Sequence, residues 1–172
     1  MVDDVKRVID NNIYLAKQHG ITDADGLEKI SQSAVELYRK PIGQESGMYP
    51  RTQAELEALA LDPANGKIKL LERNAALGCE ASGEIPRPIT RSADQKSDFV
   101  NANGTLWDVK SFRTDWKNGY DYNTAMFEIY GGIFNKGQNL IIDTTYLAKW
   151  ARDELVAGII SNGWGQYVRF YP

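Results

Sequence analysis

The residues best suited to chemistry lie in one segment, Ser97–Phe112, which reads Ser-Asp-Phe-Val-Asn-Ala-Asn-Gly-Thr-Leu-Trp-Asp-Val-Lys-Ser-Phe. Asp98 and Asp108 lie in two runs of strand-forming residues, and Lys110 follows two residues after the second aspartate. Two carboxylates held close together do not both ionise unless a cation joins them. A metal ion beside an ammonium group suits chemistry on phosphate. The segment therefore predicts a site for a divalent cation and a phosphate ester.

The turn between the two strands decides whether these side chains meet. The pair Asn103-Gly104 between strand formers is a strong signal for a β-hairpin. A two-residue loop leaves the two aspartates on opposite faces of the sheet. A three-residue loop, 102–104, with its glycine in the left-handed conformation, sets Asp98 opposite Asp108. Because side chains alternate with a period of two, Lys110 then shares their face. The opposite face collects Phe99, Trp107 and Val109.

An acid two residues before a lysine is weak information by itself, because the chain contains four such tripeptides. They begin at Asp4, Asp94, Asp108 and Asp115. Only the tripeptide at Asp108 lies in an apolar strand and has a second acid opposite it in a predicted hairpin. The alternative interpretation is a ladder of ion pairs on an exposed sheet surface.

Composition excludes several other mechanisms. The chain has one histidine, His19, and one cysteine, Cys79, which excludes a histidine-rich metal cluster, a multi-cysteine zinc site and an internal disulfide. Cys79 is expected to be a small core residue. The net charge of −3 argues against a general binder of polyanions. The chemistry must therefore use carboxylates, lysine and hydroxyl groups.

Apolar periodicity predicts the elements that position the segment. Helices are expected over 3–19, from Thr22 or Asp23 to Pro41, from a capping box of Thr52 and Glu55, over 64–77 up to Gly78, from Asp121 to Gly137, and over 144–161. Strands are expected near Ile89 and over 97–102, 105–112, 139–143 and 166–171. Residues 41–51 form a turn-rich linker, and Tyr130 and Trp150 lie at core spacing. From residue 64 onward this order predicts an α/β (α+β) core.

The hairpin with Asp98, Asp108 and Lys110, in this order of elements, resembles the PD-(D/E)XK nuclease superfamily, whose fold is called restriction-endonuclease-like. The superfamily pattern is an acid, a short gap and then Asp/Glu-x-Lys on the next strand, with a helix before and a helix–strand pair after. Residues 64–143 carry this pattern, although Ser97 stands where the pattern has proline. The resemblance implies a central mixed β-sheet flanked by helices, preceded here by a helical N-terminal module.

The resemblance also implies roles for the hairpin residues. Asp98 and Asp108 would bind a divalent metal, and the carbonyl of Val109 would be a further ligand. Lys110 would position or activate the attacking water and neutralise the phosphate. Mg²⁺ or Mn²⁺ suits ligands that are all oxygen, and Zn²⁺ is a further candidate.

Other residues are candidates for supporting roles. The superfamily often has an acid on the preceding helix, where Glu72 is the best match and Glu80 the alternative. Gln138, before the next strand, is a candidate contact to a phosphate or a base. Arg113 and Lys117 are candidate substrate contacts, because basic and aromatic residues alternate after the hairpin in a composition suited to stacking on nucleotides. The same residues fit a tyrosine-rich loop that covers the edge of the sheet equally well.

A finer resemblance is to the restriction-endonuclease-fold toxin domains that end bacterial polymorphic and contact-dependent growth inhibition toxins. It is carried by Glu72, by Ala-Asp-Gln-Lys-Ser-Asp-Phe and by Asn-Gly-Thr-Leu-Trp-Asp-Val-Lys-Ser. This layout implies a helical module for import or binding at 1–50 and a nuclease domain at 51–172. The implied substrate is DNA or RNA, including tRNA. The implied partner is a cognate immunity protein, and a host factor is a further candidate.

The start of the chain fits the same layout. Residues 1–4 lack the features of a signal peptide, and no apolar run approaches a membrane span. The resemblance implies secretion as part of a larger toxin and delivery to the cytoplasm of a target bacterium. Two alternatives stay open. One is a housekeeping repair or restriction nuclease of the same fold, and the other is a non-catalytic module that binds nucleic acid or protein.

Overall fold

The computed structural model describes residues 2–18, 20–38 and 45–172. Its helices are α1 (Val2–Gln18), α2 (Ala24–Tyr38), α3 (Gln53–Ala60), α4 (Leu70–Ala81), α5 (Tyr122–Tyr130), which continues as a π-helical turn (Gly131–Asn135), and α6 (Lys149–Ser161). Its strands are β1 (Thr90–Arg91), β2 (Phe99–Val100), β3 (Leu106–Ser111), β4 (Asn139–Asp143) and β5 (Val168–Tyr171), the last preceded by a 3₁₀ turn (Gly165–Tyr167). His19 and residues 41–44 of the predicted linker lie outside the described residues. Within the described ranges, no helix has both the length and the apolar composition needed to cross a bilayer.

The strands form one five-stranded mixed sheet in the order β1-β2-β3-β4-β5. The first three strands are an antiparallel meander, whereas β4 is parallel to β3 and β5 is parallel to β4. Parallel neighbours need a long crossover connection, which α5 supplies between β3 and β4 and α6 supplies between β4 and β5. The predicted α/β class is confirmed.

Two apolar clusters cover the two faces of the sheet. Leu140 and Ile142 of β4 lie in the cluster formed with α1, α2, α5 and α6, whereas Ile141 lies in the cluster under α3 and α4. This alternation is the period of two that a strand imposes on its side chains. Phe99 and Trp107 are buried in the cluster under α3 and α4, which confirms the predicted apolar face of the hairpin.

Helices α1 and α2 share a core with the rest of the chain. Ala34 and Leu37 of α2 are buried in the same cluster as Val168 of β5. The Gly165 N–H donates to Ser33 Oγ at 3.1 Å, and a Cβ on that glycine would lie 1.9 Å from the Ser33 carbonyl oxygen. The backbone can approach this closely only at glycine. A binding role for residues 1–50 stays a prediction.

Several helix boundaries follow their caps. The capping box of Thr52 and the N-cap of Asp121 are both present, as predicted. Helix α6, however, begins at Lys149 and not at 144. The reason is that the N–H and hydroxyl of Thr144 both donate to the Tyr171 carbonyl, at 2.6 and 3.1 Å, which extends the sheet edge past β4.

Helix α4 begins later than predicted, because residues 64–69 form turns and α4 starts at Leu70. The chain closes a tight loop there. The Asp62 N–H donates to the Lys67 carbonyl at 2.8 Å, and Gly66 adopts a left-handed φ of +70°. A helix through this segment is incompatible with that left-handed residue.

Gly78 lies inside α4 and does not end it, since the Tyr171 ring fills the space where a side chain would stand. A Cβ on Gly78 would lie 2.2 Å from that ring. Gly78→Ala is expected to destabilise the protein by about 1–3 kcal/mol, despite the better helix propensity of alanine. Urea unfolding measures the loss. Gly131→Ala is the control, because its nearest neighbour would be 3.8 Å away, and equal effects in the two variants would contradict this explanation.

Two aromatic residues predicted to lie in the core are exposed instead. Tyr130 is 46% and Trp150 64% exposed. Each packs against other rings near the surface: Trp150 lies 5.7 Å edge-on from Tyr120, and Tyr130 lies 5.0 Å from Phe134. Apolar spacing predicted the buried face of these helices only in part, because Tyr130 and Trp150 lie at the edge of the apolar stripe that packs against the core. Cys79 is buried, as predicted.

Candidate active site

The hairpin has the register that brings the two aspartates together. Phe99 of β2 pairs with Trp107 of β3, which leaves a three-residue loop, 102–104, whose glycine has φ +80°. The predicted loop length and left-handed glycine are confirmed. The regular ladder ends at Phe99, because the Asp98 N–H donates to the Trp107 carbonyl at 3.0 Å. The Asp98 carboxyl still lies close enough to Asp108 for that carboxylate to raise its pKa.

Asn101, the residue before the loop, holds this turn in place. Its Oδ1 accepts hydrogen bonds from the N–H groups of Asn103 at 3.0 Å and Thr105 at 3.1 Å. Its carbonyl accepts from the Gly104 N–H at 3.0 Å. An asparagine that binds the backbone in this way favours a defined turn, so the register depends on Asn101 as well as on the glycine.

Asp98 lies where the pairing of β2 with β3 ends. Its N–H donates to the Trp107 carbonyl at 3.0 Å, and its Oδ2 accepts from the Val109 N–H at 2.8 Å. The carboxylate thus accepts a hydrogen bond from a β3 N–H that would otherwise need a backbone carbonyl as its acceptor. The Val109 N–H is therefore directed toward Asp98.

Asp108 and Lys110 form an ion pair beside Asp98. The Lys110 Nζ lies 2.8 Å from Asp108 Oδ2, and these side chains are only 21% and 13% exposed. Burial and the neighbouring Asp108, with a smaller contribution from Glu72, raise the pKa of Asp98 to about 7, against the opposing effect of the Val109 N–H. A carboxyl group with a raised pKa beside a second carboxylate is short of positive charge, which a bound cation would supply.

Arg91, which sequence reasoning missed, lies between two of the acids. Its Nη1 is 3.1 Å from Glu72 Oε2 and 3.9 Å from Asp98 Oδ1. Its Nε donates to the Leu59 carbonyl at 2.8 Å, and the guanidinium lies 4.4 Å from the centre of the Phe99 ring. The one signal in the sequence was an arginine in the short strand that follows Ile89. Glu72 therefore lies at the site as the ion-pair partner of the buried Arg91 guanidinium.

The turn before Asp98 is also fixed by side chains. Asp94 accepts from the N–H groups of Lys96 and Ser97 at 2.9 and 2.8 Å. Gln138, a predicted substrate contact, is 1% exposed, and its Nε2 donates to the Lys96 carbonyl and to Ser97 Oγ at 2.8 and 2.9 Å. That burial is incompatible with contact to a phosphate or base. Gln138 instead holds the turn that positions Asp98.

Glu80, the alternative helix acid, lies outside the site. It is 1% exposed and accepts two hydrogen bonds of 2.6 Å from Arg51, together with one of 2.8 Å from the Ile89 N–H. This arrangement is a satisfied buried ion pair, which joins the segment before α3 to α4 and to the start of β1.

Arg113 and Lys117 lie in the loop that follows β3. The guanidinium of Arg113 is held by Asp115 at 2.9 and 2.7 Å and lies between the rings of Trp116 and Tyr146, at 3.8 and 4.0 Å from their centres. Trp116 is 61% and Tyr146 44% exposed, and Lys117 is exposed. We call Arg113, Trp116 and Tyr146 the stacked surface. It offers aromatic faces, while Arg113 itself already has an acidic partner.

The acidic side chains at the site offer oxygen atoms only, which are the ligands that a hard divalent cation takes. Within the described ranges no three His, Cys, Asp or Glu side chains form a group that could hold an ion. A cation here would therefore take Asp98, Asp108 and the Val109 carbonyl, with water or phosphate oxygens as its other ligands, as Mg²⁺ commonly does. A groove of 490 Å³, lined in part by Lys69, Glu72 and Val109, lies between the start of α4 and β3, and the side chains of Asp98, Asp108 and Lys110 are not part of its lining.

Comparison with known proteins adds no assignment: no protein-family model matches the chain, and neither a curated protein nor a solved structure shows significant similarity to it.

Proposed function

We propose that this protein is a metal-dependent nuclease that hydrolyses phosphodiester bonds in DNA or RNA. The observation that carries the proposal is the arrangement at the hairpin, where the carboxyl of Asp98 lies beside that of Asp108 and Lys110 forms an ion pair with Asp108. The low exposure of these side chains argues against a simple surface ladder of ion pairs. Two adjoining carboxylates and an ammonium group supply the charges that a cation and a phosphate need.

The order and direction of the elements support a restriction-endonuclease-like core. From α4 to β4 the chain runs helix, three antiparallel strands, helix and a parallel strand. This is the frame that the resemblance to PD-(D/E)XK nucleases implies for residues 64–143. Asp98 directly precedes the second strand of that frame, and Asp108 lies on the third.

The chain's own groups divide the work of hydrolysis. Asp98 and Asp108 would hold Mg²⁺ or Mn²⁺, which supplies positive charge and Lewis acidity at the phosphate when bound. Lys110, fixed by Asp108 at 2.8 Å, holds an ammonium group where charge develops on the phosphate. It also serves to orient the attacking water. The Val109 N–H keeps the Asp98 carboxylate in place through the 2.8 Å hydrogen bond.

The biological role that we propose is that of an antibacterial toxin domain. It rests on the resemblance of the hairpin segment to growth-inhibition toxins, and it includes neutralisation by an immunity protein and delivery into the cytoplasm of a target bacterium. Expression without an immunity protein should arrest growth, whereas expression of a repair or restriction nuclease should not. Normal growth with full nuclease activity in vitro would favour the housekeeping alternative.

The direct test of the activity is incubation of the purified protein with total tRNA and with plasmid DNA, each with Mg²⁺ and with a chelator. We expect cleavage of one or both substrates with Mg²⁺ and none with the chelator. An absence of cleavage, together with an absence of Mg²⁺ or Mn²⁺ binding in calorimetry, would overturn the proposal and favour a non-catalytic binding module.

The stacked surface yields a prediction about substrate binding. Trp116→Ala is expected to raise KM for a single-stranded substrate about tenfold, because stacking of one base on an aromatic side chain contributes about 1–3 kcal/mol. The kcat should change little, since Trp116 is not part of the acid pair. Phe127→Ala is the matched control, because Phe127 is 77% exposed on α5 and outside the stacked surface. An equal rise in KM for both variants would contradict the prediction.

A further inference from the structure

The guanidinium of Arg91 is fixed more firmly than a surface counter-ion would be. The side chain is 9% exposed and is held by the Leu59 carbonyl, the Phe99 ring and Glu72, which belong to three different elements. Its Nη2 is buried and has no hydrogen-bond partner among the described residues. A buried charge with an unused donor is costly. Arg91 therefore needs an explanation beyond packing.

The distances show that Arg91 is closer to Glu72 than to Asp98. Glu72 lies 3.1 Å from the guanidinium, whereas Asp98 lies 3.9 Å from it and keeps its other oxygen on the Val109 N–H. Lys110 pairs with Asp108 instead. Each cation thus has one close acid, and Asp98 is the acid without a close cation.

The net charge of the site explains why Glu72 would be paired with Arg91. With all groups ionised, the three carboxylates of Glu72, Asp98 and Asp108 exceed the charges of Arg91 and Lys110 by one unit. A divalent cation would turn that excess into one positive charge, which matches a single phosphodiester. Without Arg91, the same cation would leave the site neutral and Glu72 free to bind it.

We propose that Arg91 is a positioning residue that withdraws Glu72 from the metal site, so that Asp98 and Asp108 are the only carboxylates that hold the cation and the loaded site keeps a positive charge for phosphate. Glu72 then acts through Arg91 and is not itself a metal ligand. This inference rests on the proposed metal-dependent activity.

Calorimetric titration of Mn²⁺ into three variants tests it without any cleavage assay. Arg91→Met frees Glu72 and removes a positive charge, so Mn²⁺ should bind about tenfold tighter or more. Glu72→Gln leaves Arg91 to pair with Asp98, so Mn²⁺ should bind about tenfold more weakly. The double variant removes one charge of each sign and should bind Mn²⁺ within about threefold of the parent protein.

Other outcomes overturn the inference. If Glu72 ligates the metal directly, the double variant will bind Mn²⁺ as weakly as Glu72→Gln. If Arg91 only supports the fold, Arg91→Met will lower the melting temperature and leave Mn²⁺ affinity unchanged. If neither the parent protein nor any variant binds Mn²⁺, the proposed metal-dependent function fails, and the inference about Arg91 fails with it. If the parent protein binds Mn²⁺ but the variants do not follow the expected pattern, only the inference about Arg91 fails.

Two lysine variants distinguish a change in Mn²⁺ affinity from a loss of folding stability. Arg91→Lys keeps the charge and should keep Mn²⁺ affinity within about threefold, even if the protein becomes less stable. Arg51→Lys is the matched control, because Arg51 is also buried and paired with an acid, Glu80, but lies outside the site. It should lower the melting temperature without moving Mn²⁺ affinity, and a change in affinity there would contradict the proposal.

Discussion

Asp108→Asn is expected to lower the rate of nucleic-acid cleavage by at least about 1,000-fold, which corresponds to about 4 kcal/mol of transition-state stabilisation. The substitution keeps the shape of the side chain but removes a metal ligand and the charged partner of Lys110. The fold should survive, because Asp108 adds repulsion to the site and raises the pKa of Asp98. Cleavage of the preferred substrate with saturating Mg²⁺ measures the loss, and circular dichroism checks the fold.

Lys110→Met separates the two parts of the site. It removes the ammonium group but leaves both aspartates, so cleavage should fall by about 100-fold or more while Mn²⁺ binding is retained. Asp153→Asn is the matched control for Asp108→Asn, because Asp153 forms a 2.5 Å ion pair with Lys149 on the exposed surface of α6. Lys149→Met is the matched control for Lys110→Met. Wild-type cleavage by folded Asp108→Asn and Lys110→Met proteins would show that this site is not the catalytic one.

Asp98→Asn is expected to abolish cleavage and yet to stabilise the metal-free protein above neutral pH. The folded protein holds the pKa of Asp98 at about 7, well above the value near 4 of an unfolded chain. The resulting stabilisation is fully present below about pH 4 and is lost as the pH rises through 7. At pH 8 the parent protein therefore buries an ionised carboxylate beside Asp108, and the asparagine variant does not.

Melting temperatures in the presence of chelator measure this effect at pH 5 and at pH 8. At pH 8 the variant should gain at least about 1 kcal/mol, or about 2–4 °C, and at pH 5 the gain should be much smaller. The asparagine Oδ1 still accepts the Val109 N–H, so the seat of the side chain is preserved. Added Mn²⁺ should raise the melting temperature of the parent protein at pH 8 but not that of the variant. A variant less stable than the parent at pH 8 would contradict the raised pKa.

The hairpin was predictable because its information is local. The three-residue loop, the left-handed Gly104 and the shared face of Lys110 and Asp108 all follow from residues within fifteen positions of one another. The order of helices and strands along the chain, including the helices before β4 and β5, was likewise visible in the apolar pattern. Local turn chemistry and a period of two thus account for the part of the candidate site that contains Asp108 and Lys110.

The surroundings of the acid pair were not predictable, because they depend on contacts between distant segments. Arg91 reaches Glu72 over 19 residues, and Gln138 reaches Lys96 over 42. The sequence shows each of these residues as an ordinary polar side chain, and only the packing of α4 and β4 against the hairpin gives them their positions. Gly78 is a similar case, since the ring that requires it comes from the last strand.

The contact of Gly165 with Ser33 has a consequence for transport. These residues are 132 positions apart, and they join α2 to the turn that leads into the last strand. A chain threaded through a narrow pore cannot make this contact until both segments have emerged, and the core that they close forms only then. Under the proposed role, the nuclease would be silent while in transit and would become active on completion of folding at its destination.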